Sequence, residues 1–326
     1  MRYFLFVSLL ALALACTFTV GASAQGTPGS QNFTISINQF VEHPSLDETV
    51  RGFKEQLADS GLHVTYNEHN AQASVPNITQ IVNQIIDEKP DLVLAVATPS
   101  AQITFQNIKN IPILFTAVTD PVAAGLVPSL DKPNANITGT TDMNPVAAQL
   151  ALILEVQPTV KRVGIIYNAG EVNSTVQVEL AKQACQKLGI TLEEATAANT
   201  AMVTQAAQSL VGKIDAFYLP TDNTVISSFD SIVKVAIENK IPIYPAEDDS
   251  VRKGGLAVIS LSYYELGRQT GRMAVKILRD GANVSSLPVE AQENHRLIVN
   301  TSFAASINFT IPESVLSRAQ EIITSK

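Results

Sequence analysis

The chain has 326 residues, 46% of them hydrophobic and only 16% charged, a balance that excludes extensive disorder. Its formal net charge of -8 argues against a nucleic-acid partner, which needs clustered Lys and Arg to neutralise phosphates. Beyond residue 25 no apolar run is long enough to cross a bilayer.

At the start of the chain, Arg2, the apolar run Phe4–Val20 and the small residues Ala22-Ser23-Ala24 read as a secretory signal peptide cleaved after Ala24. A rival reading processes the chain at Cys16 and leaves a lipid anchor. Ala13 stands where that reading expects a leucine, so soluble export is preferred. Cys185 is then the single thiol, no internal disulfide can form, and stability must come from buried apolar surface. The remaining length, about 300 residues, suffices for two lobes.

One pattern then repeats from Phe33 to Val299. Strands are predicted at Phe33–Phe40, Val64–Asn67, Leu92–Ala97 and Ile113–Ala117, with helices at Leu46–Ser60 and Ile78–Glu88 between them. The chain next crosses Asn134–Pro145, rich in Asn, Thr, Gly and Pro, which suits a crossover more than a core. Strands follow at Arg162–Tyr167, Thr191–Ala195, Ala216–Leu219, Ile243–Ala246 and Leu256–Ser260, with helices at Ser174–Leu188, Val203–Val211 and Ser227–Asn239. The buried runs do not alternate apolar with polar, as expected of a parallel sheet covered on both faces. Each half introduces its last main strand with a similar phrase, Lys109-Asn110-Ile111-Pro112 and then Lys240-Ile241-Pro242. The sequence therefore predicts an α/β protein of two Rossmann-like lobes, with a ligand cleft between them at the carboxyl ends of the strands.

The strand ends carry the candidate site. Gln39, Phe40, Glu42 and His43 follow the first strand, Thr98, Pro99 and Ser100 the third, and Thr119 and Asp120 the fourth. In the second half the equivalents are Asn168, Glu171, Asn173 and Ser174, then Thr221, Asp222, Asn223 and Thr224, then Glu247, Asp248 and Asp249. Thr98 is expected to cap a helix with Pro99 at its first position. Singly, each of these residues reads as a structural helix cap more often than as a ligand contact. Together, Thr98–Ser100 and Thr221–Thr224 should face each other across the cleft. Helix N-termini suit a carboxylate, and Asp120, Asp222, Asp248 or Asp249 suits an ammonium group, so the cleft fits a zwitterion. Phe40, Tyr167, Tyr263 and Tyr264 are candidate apolar walls, although Phe40 and Tyr167 read equally well as core.

Other chemistry is missing. No glycine-rich phosphate motif follows a strand, so no nucleotide cofactor is expected. His43, His63, His69 and His295 lack metal-ligand spacing, and with one cysteine they make neither a zinc site nor a nucleophile–base pair. Cys185 reads as a buried, inert thiol, and Glu247-Asp248-Asp249 as a solvated loop.

The phrases Gln39-Phe40-Val41-Glu42-His43-Pro44, Ala97-Thr98-Pro99-Ser100-Ala101-Gln102, Ala117-Val118-Thr119-Asp120-Pro121-Val122, Gly164-Ile165-Ile166-Tyr167-Asn168, Pro220-Thr221-Asp222-Asn223-Thr224, Asp249-Ser250-Val251 and Tyr263-Tyr264-Glu265-Leu266-Gly267-Arg268-Gln269 occur in that order. The ordered set, from about Ile35 to Leu316, resembles the tryptophan/tyrosine-type substrate-binding proteins of ABC transporters. The resemblance implies a type I periplasmic-binding fold and a non-enzymatic, monomeric, periplasmic protein. It further implies capture of an aromatic amino acid or similar small molecule by lobe closure, with an ABC permease as partner. Thr98, Ser100 and Asp120 would line one wall, and Asn168, Thr221, Asp222, Asn223 and Asp249 the other, with Gln39, Glu42 and Tyr167 as further strand-end candidates. One lobe would comprise residues 25–140 plus 262–300, the other 141–261 plus 301–326. The helix Tyr264–Leu278 would return to the first lobe, and Ile311–Ile323, read as helical and amphipathic, would finish the second. Gln39-Phe40 departs from the family pattern, where an isoleucine is more usual before Val-Glu-His-Pro.

Two other readings use the same residues. One is a sensor of the same fold that docks on a receptor. The other is an exported α/β enzyme using His43 or Glu42 beside Asp120, for which no motif announces a dyad. A sugar ligand is disfavoured by the absence of Trp.

Overall fold

The first half of the chain alternates strand and helix: β1 (Asn32–Gln39), α1 (Pro44–Asp59), β2 (His63–Asn70), α2 (Val75–Glu88), β3 (Leu92–Val96), α3 (Thr98–Asn107), β4 (Ile113–Val118) and β5 (Ile137–Thr141). The structure is a computed structural model that describes residues 32–324. The expected cleavage after Ala24 and the alternative at Cys16 lie outside them. The second half continues with α4 (Val146–Val156), β6 (Arg162–Tyr167), α5 (Val172–Leu188), β7 (Thr191–Thr196), α6 (Val203–Leu210), β8 (Ala216–Leu219), α7 (Asn223–Ile226), α8 (Phe229–Asn239), β9 (Ile243–Pro245), α9 (Asp248–Lys253) and β10 (Ala257–Ser260). Then come α10 (Tyr263–Leu278), β11 (Glu290–Ala291), β12 (Arg296–Asn300), α11 (Thr301–Ser306), α12 (Glu313–Leu316) and β13 (Glu321–Ile323).

These strands form separate sheets rather than one continuous sheet. The first has the order β11-β5-β4-β3-β1-β2 and the second β7-β6-β8-β9, parallel throughout. A small third sheet, β10-β12-β13, has one antiparallel and one parallel pairing. Every residue of β3 and β4 is buried, because helices cover both faces, which is why those stretches read as unbroken apolar runs. Each large sheet has its own core. Ile35, Phe53, Leu94, Phe115, Leu266 and Met273 belong to the first, and Val163, Ile165, Phe217, Leu219, Ile232 and Val299 to the second. Two cores on two parallel sheets make the chain a two-lobed α/β protein.

Three expectations change. The stretch Asn134–Pro145 conceals the buried strand β5, whose polar side chains are satisfied inside the lobe. Thr140 bonds the hydroxyls of Thr116 (3.1 Å) and Thr270 (2.7 Å), and Thr138 donates to the Leu287 carbonyl (2.8 Å). The expected first-lobe segment 262–300 ends sooner, since β12 pairs with β10 and buries Leu297 and Val299 in the second core. Ile311–Ile323 is not one helix. Ile311 and Val315 pack on the second core, and the chain then straightens into β13 beside β12.

The return of α10 to the first lobe depends on missing side chains. A Cβ on Gly267 would lie 1.9 Å from the Thr49 carbonyl oxygen, and one on Gly52 would lie 2.1 Å from that of Tyr264. α1 and α10 thus meet backbone to backbone, and Thr49 Oγ1 donates to the Tyr263 carbonyl at 3.2 Å.

Candidate functional site

The loops after the strands of both lobes converge on one region, beginning with two strained alanines. Ala97 follows β3 with φ 76° and Ala117 lies near the end of β4 with φ 52°, conformations that cost a non-glycine residue about 1–3 kcal/mol. Ala97 takes the N-cap position of α3, so Thr98 becomes its first helical residue rather than its cap. Thr98 is 1% exposed, and its Oγ1 has no hydrogen-bond partner among the described residues. Ser100 is buried and donates to Asn38 Oδ1 at 3.4 Å. Asp120 Oδ1 accepts from the backbone N–H groups of Val122 (3.0 Å) and Ala123 (2.9 Å), which commits it to its own turn.

On the second lobe, Asp222 is the N-cap of α7, accepting from the Val225 N–H at 2.8 Å. Its other oxygen accepts from the Asn168 N–H and Ser174 Oγ, both at 2.6 Å. Burial first, and then the charge of Glu171, push the Asp222 carboxyl above the usual carboxylate range. Glu171 accepts from both the backbone and side chain of Asn223 and of Thr224, and from Asn173 Nδ2. Gln177 clamps Thr221, donating to its Oγ1 at 2.5 Å and accepting from its N–H at 3.1 Å. Asn173 Oδ1, although buried, has no partner among the described residues.

Direct contacts join the two lobes. Thr119 Oγ1 lies 3.3 Å from Thr221 Oγ1, and Ser45 Oγ donates to Glu247 Oε2 at 2.7 Å. His43 is buried beside Asn223, yet neither ring nitrogen has a well-formed bond among the described residues. Burial holds its imidazole down at about 4, so the ring is neutral. Next to these contacts opens a cavity of about 620 Å³, walled by Phe40, Pro99 and Ile103 from the first lobe and by Asn168, Glu171 and Met202 from the second. Both walls mix apolar side chains with hydrogen-bonding groups, Gln102 and Gln106 beside Phe40 on one and Asn168 and Glu171 beside Met202 on the other, a combination that holds and orients a small amphipathic molecule.

The sequence candidates do not all meet here. Asn168 and Phe40 line the cavity. Thr221, Asn223 and Thr98 are buried near the lobe junction, whereas Asp222 and Ser100 act as braces behind it. Gln39 points the other way, bonding Asp47 Oδ1 at 2.8 Å, and with exposed Glu42 it lines a separate depression beside His69. Phe40, the residue after β1, turns to the cavity side instead. The Tyr167 hydroxyl donates to Glu194 on β7 at 3.0 Å, so this ring serves its own sheet edge. Asp249 lies 3.9 Å from Arg252, outside the cavity wall. Glu171 and Asn173, strand-end candidates in the sequence that the resemblance did not assign to the cleft wall, belong to this region, and Gln177 and Met202 join them with no sequence signal. The expected solvated loop is also corrected, since Glu247 is 3% and Asp248 6% exposed, covered by the start of α1. Cys185 is buried, and burial pushes its thiol up to about 11. Among the described residues no cluster of His, Cys, Asp and Glu is placed to hold a metal ion.

Residues 34–323 match the family described as ABC transporter substrate binding protein. The chain belongs to that family. This substrate-binding protein, whose family is one of binding proteins rather than enzymes, has the two-lobed type I periplasmic-binding architecture. It is 39% identical over 299 residues to a tyrosine-binding protein of Clostridioides difficile (strain R20291), a match covering 89% of this chain and 86% of the relative. The structure of an ABC domain from Streptococcus pneumonia in complex with L-Trp is 35% identical, with a TM-score of 0.86, covering 90% of this chain and 100% of that one. A ligand-free, open substrate-binding protein with adhesive properties from Clostridium difficile is 41% identical over the same shares, yet its TM-score is 0.67. The nearer sequence is the poorer fit. The binding protein as a whole thus superposes better on the L-Trp complex than on the open form.

Proposed function

We propose that this protein captures an aromatic amino acid, L-tyrosine or L-tryptophan, between its lobes and presents it to a membrane permease for import. The observation that carries the reading is the cavity walled by both lobes, in a chain related to a tyrosine-binding protein and to an L-Trp complex. Phe40, Ile103 and Met202 suit a flat apolar side chain. The start of α3, with the unpartnered Thr98 hydroxyl, suits the carboxylate, because the N–H groups and dipole of a helix start favour an anion. The carboxyl-rich second lobe, with Glu171 at the cavity wall, suits an ammonium group. In this reading His43, Thr98 and Asn173 hold the polar atoms that the guest satisfies on closure.

The same reading places the mature protein outside the cytoplasmic membrane as a soluble monomer, cut after Ala24. A thermal-shift series with L-tyrosine, L-tryptophan, L-phenylalanine, glucose and succinate tests it. An aromatic amino acid at a hundredfold excess over its dissociation constant should stabilise the protein by about 2.7 kcal/mol. A response to glucose or succinate and to no aromatic amino acid would remove the ligand assignment.

A further inference from the structure

Glu247 stands where the two lobes touch, and its surroundings are those of a protonated acid. It is 3% exposed, and its bond from Ser45 crosses from α1 of the first lobe to the start of α9 in the second. The charges that act on it come from Asp142, Asp249 and Asp248, all of one sign. Asp142 sits at a crossing between the lobes and accepts from the Tyr263 hydroxyl at 2.8 Å. On the α1 side, Glu48 and Arg51 act on Asp249, as does Arg252 from α9. His43, at the start of α1, lies nearer Lys253 and Asn223. A carboxyl shut from water among other carboxyls favours the neutral form. Separating the lobes would break the Ser45 bond, admit water and let the acid ionise in its ordinary range.

Resting on the closure reading above, we propose that closing the cleft takes up a proton on Glu247, so that ligand capture weakens as the pH rises. The sign follows from linkage. The closed form binds the proton more tightly than the open form, so closure is favoured at low pH. The advantage is lost as pH climbs from the ordinary carboxyl range through the raised closed-form value, by up to about tenfold in affinity per pH unit for each proton. Asp249, facing Ser45 and Glu48 across the junction, acts in the same direction. His43 acts oppositely, because its ring is held down, but only below about pH 6.5, where a free imidazole charges. Asp222 and Asp248 are also raised by burial, but the charges and bonds acting on them come from the second lobe, so lobe movement leaves those in place.

The test is calorimetric titration with L-tyrosine and with L-tryptophan at about pH 7.5, in two buffers of different ionisation heat, on wild type and Glu247→Gln. Glutamine keeps an acceptor for Ser45. Wild type should take up protons as ligand binds, and Glu247→Gln less than half as many. Wild-type affinity should fall as the pH rises, and more steeply than that of the variant, in which Asp249 still acts. Zero uptake by wild type, or equal uptake by both proteins, overturns the proposal. Should neither amino acid bind, the ligand assignment falls and closure is read by small-angle scattering of the ligand-free proteins. A radius that grows with pH in wild type alone supports the proton claim; a radius independent of pH in wild type overturns it.

Discussion

Thr98→Val should move stability and affinity in opposite directions. Valine keeps the shape of the side chain and removes a hydroxyl that is buried without a partner among the described residues at the first turn of α3. An unbonded buried hydroxyl costs about 1–3 kcal/mol, so the ligand-free variant should be as stable as wild type or more stable by about 1 kcal/mol. A hydrogen bond to a carboxylate contributes about 1.5–3 kcal/mol, which converts to an affinity loss of about ten- to a hundredfold. Urea unfolding without ligand gives the first quantity, and calorimetric titration with L-tyrosine or L-tryptophan gives the second. A variant destabilised by more than about 1 kcal/mol whose affinity is unchanged would refute the argument. The hydroxyl would then be serving the fold and not the guest.

Gly267→Ala tests the contact between α1 and α10. Its new Cβ would fall 1.9 Å from the Thr49 carbonyl oxygen, so the helices must separate, at a cost of about 1–3 kcal/mol or more. The melting temperature should drop by about 2–4 °C per kcal/mol in a chain of this size, and an unchanged value would show the helices yield freely. Acid sensitivity should trace to His43. Its ring is held at about 4, so its contribution is intact above about pH 6.5 and is lost as pH falls, by at most about 3 kcal/mol. Between about pH 7 and 4.5, His43→Asn should lose less stability than wild type in urea unfolding; equal losses would place the acid sensitivity elsewhere.

The strands that were easiest to read share one property. β3, β4 and β8 are buried on every residue, and their sequences say so locally. β5 could not be read that way, because Thr138 and Thr140 are made compatible with burial by Leu287 and Thr270, 149 and 130 positions away. The same limit governs the site. Thr98 was placed at the right strand end but in the wrong role, since a positive φ at Ala97 moves the helix start by one residue. Glu247-Asp248-Asp249 looked like surface because three adjacent acids usually are. What encloses them is α1, some two hundred residues earlier in the chain. Gln39 is a candidate for its place at the end of the first strand, but its side chain turns to Asp47 and away from the cavity.

The seam of Gly52, Gly267 and Gly271 has a bearing on how the polypeptide assembles as it is made. Thr49 and Tyr263, which meet there, are separated by 214 positions, so the lobe that begins the chain lacks one of its own helices until most of the other lobe has been synthesised. The later lobe draws most of its interior from an uninterrupted stretch, Val146 to Ala257, and can consolidate sooner, because close contacts along a chain form before distant ones. A nascent polypeptide ending before Tyr263 would leave α1 bare at Thr49 and Phe53, a natural place for a chaperone to bind.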